Sequence, residues 1–168
     1  PTNMGHLIAV SQMEKVSADL AVMNSGGIRD SIAQGDITYK DVLKVQPFAN
    51  VVSSVELNGD ELWDYLAAVA AKPIDSGAFA HFAGVDLTIT AGVLKSATIK
   101  GKEIDKAKTY RMAINSYIAS GGDKYPVMNK HAGYVNSGFV DADVLKGYLE
   151  SNSPINAAAH DKGNVVRN

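Results

Sequence analysis

Three short segments carry side chains suited to recognising a small polar ligand, and each also admits a plainer reading. In Asn24-Ser25-Gly26-Gly27-Ile28-Arg29-Asp30 a glycine pair lets backbone N–H groups approach an anion, and Arg29 adds a planar charged fork that matches phosphate with two parallel hydrogen bonds. The same residues suit a tight turn whose Arg29 pairs with Asp30 on the surface. In Gln46-Pro47-Phe48-Ala49-Asn50 the proline stiffens the backbone beside Phe48, and Asn50 carries both a donor and an acceptor, as a base edge requires. The alternative puts Phe48 in the core and lets Asn50 cap the turn. In the stretch from Asn115 to Asp123, Tyr117 offers a face for stacking and Asp123 an acceptor for ribose hydroxyls, unless the segment is only a glycine turn with a capping acid. Together the three supply two aromatic faces, an amide, a carboxylate and an arginine, the parts needed for base, sugar and phosphate.

Catalytic constellations are missing. His6, His81, His131 and His160 are scattered, with no carboxylate or histidine partner at metal-ligand spacing. No Gly-x-Ser-x-Gly elbow, Walker loop or Gly-x-Gly-x-x-Gly is present. The acidic pairs Asp60/Glu61 and Asp141/Asp143 read as solvated helix starts, where carboxylates complement the helix dipole. The sequence holds no Cys, which removes disulfides, thiolate nucleophiles and Cys-ligated metals. The chain by itself is expected to bind rather than to hydrolyse.

The elements that must position these segments are legible in outline. Thr2 and Asn3 cap a helix running to about Ser17, and Leu20-Ala21-Val22-Met23 is a short buried strand feeding the first glycine loop. Thr38 caps a helix from Tyr39 to Val45. Asn50 to Leu57 forms a strand stopped by an Asn58-Gly59 turn, and Asp60 starts a helix to about Ala71. Val85 to Thr90 and Val93 to Ile99 alternate apolar and polar residues around Ala91-Gly92, as a β-hairpin does. Thr109 to Ile114 is a strand leading into the Tyr117 segment, Asp141 caps a helix through Leu149, and Val165-Val166 suggests a final strand. Strands and helices mix without strict alternation, so the expected class is α+β, with mixed β-sheets packed with helices.

Composition bounds the rest. The 168 residues are 46% hydrophobic and 20% charged, enough for one domain with a core. No run approaches the ~18 apolar residues of a membrane span. A net charge of −2, with Arg only at 29, 111 and 167, is no footprint for a nucleic-acid polymer. The chain opens at Pro1, with no initiator Met, signal peptide or lipid anchor, and reads as part of something longer.

Four stretches in order carry a specific resemblance: Asn24 to Ile32 (Asn-Ser-Gly-Gly-Ile-Arg-Asp-Ser-Ile), Val45 to Asn50 (Val-Gln-Pro-Phe-Ala-Asn), Ser76 to Phe79 (Ser-Gly-Ala-Phe) and Ala119 to Tyr125 (Ala-Ser-Gly-Gly-Asp-Lys-Tyr). With these the chain, over residues 1–168, resembles the C-terminal domain of the 5′-nucleotidase / UDP-sugar hydrolase family, and Tyr134 to Phe139 looks most like its bacterial periplasmic branch. The resemblance implies a layered α/β/β/α fold and a substrate-binding role beside an N-terminal metallophosphoesterase domain that is not in this sequence. That domain would hold two divalent ions of the Zn, Mn or Mg class; no cofactor is expected in this chain. Implied ligands are nucleosides and nucleotides such as AMP, other nucleoside monophosphates or UDP-sugars, and the implied location is bacterial periplasm or cell surface. Phe48 and Tyr117 match the base sandwich, Asn50 a hydrogen-bond partner of the base, Asp123 the ribose ligand and Arg29 a phosphate contact. Asn24, Gly27 and Gly77 match neighbouring pocket positions. Further phosphate-binding arginines of the family would lie upstream of Pro1. Three positions depart from the family pattern. Tyr117 stands where Phe is usual, which adds a hydroxyl needing a partner, and Ala49 and Lys124 stand where Gly is common. A non-catalytic nucleotide-binding or interaction module on the same fold is the alternative.

Overall fold

The computed structural model describes residues 2–160 and 164–168; Pro1, where the likeness begins, lies outside them. The first sheet has five strands in the order β3-β1-β7-β2-β8, namely β3 (Ala80–Ala83), β1 (Leu20–Asn24), β7 (Thr109–Asn115), β2 (Val51–Asn58) and β8 (Tyr134–Val140). Only β1 and β7 pair in parallel; the other neighbours are antiparallel. The second sheet runs β6 (Lys102–Glu103), β5 (Val93–Ile99), β4 (Asp86–Thr90) and β9 (Val165–Arg167), with β4 and β9 parallel. The helices are α1 (Asn3–Lys15), α2 (Tyr39–Val45), α3 (Gly59–Ala70), α4 (Ser116–Ala119) and α5 (Asp141–Asn152). The expected α+β class with mixed sheets packed by helices is the one found.

Period-two alternation of the central strands divides the interior. On β1, Leu20 and Val22 face one cluster while Ala21 and Met23 face another. The first cluster closes between the first sheet, α3 and the second sheet around Phe82, Tyr65, Leu66, Leu87, Ile89, Met112 and Ile114. The second lies under α1, α2 and α5, around Leu7, Ile8, Val42, Val45, Leu145 and Leu149. Both faces of β1 are apolar, which explains the continuous run in its sequence.

Local chemistry sets the ends. Thr2 accepts from the Gly5 N–H to cap α1, and Thr38 with Asp41 forms a capping box on α2. The hairpin turns at Ala91 (φ 50°) and Gly92 (φ 77°), the paired left-handed residues of a type I′ turn. Two expectations need correction. Asn58 caps α3 instead of Asp60: its side chain accepts from Glu61 N–H while the Glu61 carboxylate accepts from Asn58 N–H, so Asn58-Gly59 is a helix entry. Asp141 is the first residue inside α5, with Val140 at the cap position.

Strands β3, β6 and β8 and helix α4 were not expected. β3 is four wholly buried residues without alternation. β8 is an edge strand containing Asn136, Ser137 and Gly138, with little β propensity, and it bulges where it passes Val51 and Ser53.

Gly59 marks the tightest joint in this frame. A Cβ there would lie 2.1 Å from the Asp105 carbonyl oxygen, a backbone atom that cannot swing away. Gly59→Ala is therefore expected to destabilise the fold by about 1–3 kcal/mol through overpacking, despite the better helix propensity of alanine; urea unfolding monitored at Trp63 measures it.

Candidate functional site

Strand directions bring the three segments together. Because β1 and β7 run parallel and β2 and β3 oppose them, the C-terminal ends of the first two meet the N-terminal starts of the others at one end of the sheet. There Asn24 pairs with Ala80 and Val52 with Asn115. β1 runs into a 3₁₀ turn, Ser25–Gly27, and β7 into α4; Gly77 precedes β3, and Phe48 to Asn50 lead into β2.

A line of buried amides ends on a carboxylate. The Asn115 side chain caps α4 by accepting from Ile118 N–H, and its Nδ2 donates to Asn24 Oδ1 at 2.9 Å. Asn24 Nδ2 in turn donates to Asp123 Oδ2 at 2.7 Å. Tyr117 closes the group, its hydroxyl donating to Asp123 Oδ1 at 3.2 Å. Glycines permit this closeness. Gly26 N–H donates to the Gly77 carbonyl at 2.8 Å, and a Cβ on Gly26 would sit 3.3 Å from that oxygen and 3.4 Å from Asp123 Oδ2. Gly27 is buried, with the Met23 methyl where its Cβ would go.

Asp123 (φ 57°) and Lys124 (φ 59°) are consecutive left-handed residues, and Ala49 (φ 54°) is another. The two departures from the family's glycines thus fall on conformations that glycine adopts without cost. Lys72, at the end of α3, holds the first pair, donating from Nζ to the Lys124 carbonyl at 2.7 Å and the Asp123 carbonyl at 3.3 Å.

The aromatics face solvent. Phe48 is 54% exposed and Tyr117 45%, so Phe48 is not a core residue. The Arg29 guanidinium lies 5.7 Å from the centroid of the Phe48 ring, and Asp30 accepts from Ser31 N–H instead of pairing with it. Asn50 lends its backbone carbonyl to Asp141 N–H at 2.8 Å, and the next residue, Val51, donates its N–H to Ser116 Oγ at 2.9 Å. That second bond ties the Phe48 segment to the helix carrying Tyr117.

The model of the family described as "5′-nucleotidase, C-terminal domain" matches residues 1–130.

The chain belongs to that family. The chain is 58% identical over 154 residues to a 5′-nucleotidase of Vibrio cholerae, covering 92% of this chain and 28% of the relative. It is 52% identical over 165 residues to Protein UshA of Escherichia coli, covering 98% of this chain and 30% of that protein. Among solved structures, a 5′-nucleotidase precursor from Thermus thermophilus superposes with a TM-score of 0.81 at 27% identity, over 98% of this chain and 35% of the other. The chain thus spans under a third of the length of the curated relatives it matches.

Two residues at this end of the family domain were not singled out from sequence. His81, read as an isolated histidine, is buried, and its Nε2 lies 2.7 Å from Ser25 Oγ. Its Nδ1 accepts from Thr2 N–H at 3.4 Å, leaving Nε2 as the donor to Ser25. Burial pulls its pKa down to about 4. Asp141, read as a solvated acid, is 2% exposed, and burial pushes its pKa up to about 6 against the opposing bond from Ala142 N–H. Strand register and helix packing create both environments, which no local motif encodes. The other three histidines also gain partners through the fold: His131 Nε2 lies 2.7 Å from Glu61, and the Nδ1 atoms of His6 and His160 are 3.0 Å apart.

Asp141 and His81 act oppositely on stability. A carboxyl raised to about 6 contributes stability that is full below its unfolded value and is lost as pH rises through 6. An imidazole lowered to about 4 contributes stability present above its unfolded value and lost as pH falls toward 4. Between these limits the two offset each other. Asp141→Asn is expected to remove one arm, so that the variant loses ~2 kcal/mol relative to the parent on going from about pH 7 to about pH 4.5. Urea midpoints of both proteins at the two pH values measure the difference.

Proposed function

We infer that this chain is the substrate-binding and specificity domain of a metal-dependent 5′-nucleotidase or UDP-sugar hydrolase, and that it presents a nucleotide to a dimetal centre on a separate N-terminal domain. Such a centre does not fit the residues here: among those described, no group of three or more His, Cys, Asp or Glu is placed to hold a metal ion. The work of this chain is binding. Two metals, when bound in the partner domain, would supply the activated water and stabilise the leaving oxygen.

One observation carries the reading. The Asp123 carboxylate, positioned by Asn24, sits beside a glycine-lined turn and next to an exposed aromatic ring on α4; Phe48 and Asn50 stand on the neighbouring segment, and Arg29, which follows the glycine turn, reaches toward the Phe48 ring. In this assignment Phe48 and Tyr117 take the two faces of the base, Asn50 its edge, Asp123 the ribose hydroxyls and Arg29 the phosphate, with Asn24, Gly27 and Gly77 shaping the wall. The names of the curated relatives, 5′-nucleotidase and UshA, support a nucleotide as ligand. AMP, other nucleoside monophosphates and UDP-sugars are the ligand class. No helix of the described residues is long and apolar enough to cross a membrane, and bacterial periplasm or cell surface is the location that goes with the family reading.

Adenosine is expected to bind the chain weakly, with calorimetry giving the affinity. Phe48→Ala should lower it about 5- to 150-fold, the range of one base–aromatic stack, whereas Asp123→Ala should penalise adenosine more than 2′,3′-dideoxyadenosine. Equal penalties would remove the ribose role from Asp123.

Arg29 separates phosphate from nucleoside. In Arg29→Ala the ratio of AMP to adenosine affinity should fall about tenfold, as for loss of a charge-assisted bond, with adenosine itself changed little. An unchanged ratio in a folded variant would return Arg29 to a supporting role beneath Phe48.

A further inference from the structure

The hydroxyl of Tyr117 has found its partner on the very carboxylate assigned to the sugar. Asp123 Oδ2 is taken by Asn24 at 2.7 Å, and Oδ1, the other oxygen, accepts the Tyr117 hydroxyl at 3.2 Å. Asn24 is buried, itself held by Asn115, and cannot leave without stranding buried amides. The Tyr117 bond is the adjustable one: it is long, and its ring is half exposed.

The ring packs against the backbone at rest. A Cβ on Gly122 would come within 2.6 Å of Tyr117 Cε2 and Cζ, so the hydroxyl end of the ring rests against the turn that carries Asp123. At rest the ring is thus packed on this turn and half exposed, with its oxygen on the carboxylate.

The geometry points to Tyr117 as a residue that sets sugar specificity, its hydroxyl standing in for a ribose hydroxyl on Asp123 until ligand displaces it. This deepens the nucleoside-binding reading above and rests on it. The internal hydroxyl satisfies the acceptor in the empty site, so a ribose gains only the difference between its own bond and the one it replaces. A sugar without hydroxyls leaves the Tyr117 bond in place and forfeits nothing. Tyrosine at this position therefore narrows the preference for ribose over a deoxygenated sugar, whereas the phenylalanine usual in the family leaves Oδ1 waiting for a donor.

Tyr117→Phe keeps the ring and removes the stand-in. Calorimetric titration of the parent chain and of Tyr117→Phe with adenosine and with 2′,3′-dideoxyadenosine tests the assignment. The variant is expected to bind adenosine about three- to tenfold more tightly, the worth of one exchanged hydrogen bond, with dideoxyadenosine affinity unchanged within about twofold. The preference for adenosine rises by the same factor. A variant that binds both ligands with the parent's ratio, or that loses affinity for adenosine, overturns the inference while leaving the pocket intact. If neither protein binds either nucleoside, the nucleoside-binding reading falls and this inference falls with it. Asp123→Asn in the Tyr117→Phe background gives the control: the gained preference should vanish, because the amide has one acceptor oxygen, which Asn24 Nδ2 engages, and presents an N–H donor where Oδ1 stood.

Discussion

The site end of the molecule depends on the placement of two asparagines in the interior without stranding their amides. Asn24 and Asn115 end adjacent parallel strands, and both are essentially excluded from water. Each buried amide has two donor hydrogens and an acceptor, and leaving them unmatched would cost about 1–3 kcal/mol apiece. They are matched to one another, to the first turn of α4, and finally to Asp123. The direction of that series fixes where the carboxylate stands, which fixes the turn that bears it and the ring that lies against it. Position at the surface is thus inherited from hydrogen-bond demand in the interior.

The same economy explains why glycines gather here. Gly26 lies where a Cβ would press on the Gly77 carbonyl and the Asp123 carboxylate, and Gly122 where it would run into the Tyr117 ring. Backbone from three distant parts of the sequence can then converge around one polar group. Phe48 sits on an adjoining segment, joined to this group through the Val51–Ser116 bond and held by Asp141 through the Asn50 carbonyl, with the Arg29 guanidinium near its ring.

Much of this was legible in the residues, and the limits have physical causes. Leu20 to Met23 reads as buried because both faces of its strand are covered. Thr38 reads as a cap because its partner Asp41 is three residues away. Asn24, Phe48, Tyr117 and Asp123 could be picked out because glycine, proline and aromatic residues cluster around them, and the fold does bring them to one end. Strand β3 was missed because four buried residues lack a period to detect. The His81–Ser25 contact spans 56 positions, and the burial of Asp141 depends on α5 packing against the second core. Such features arise from register and tertiary packing, and they leave no trace in local spacing.

The grip of Lys72 on the Asp123-Lys124 turn has a bearing on how the family can vary. Its ammonium holds two main-chain carbonyls and touches neither side chain of the pair. A clasp of that kind is indifferent to what residue 124 is, so long as the chain follows the same path. A lysine at that left-handed position is then tolerable: Lys72, just beyond α3, and not the local residue, holds the bend. The turn's shape is thus set by a lysine some fifty positions upstream, although nothing in their own stretches of sequence connects them.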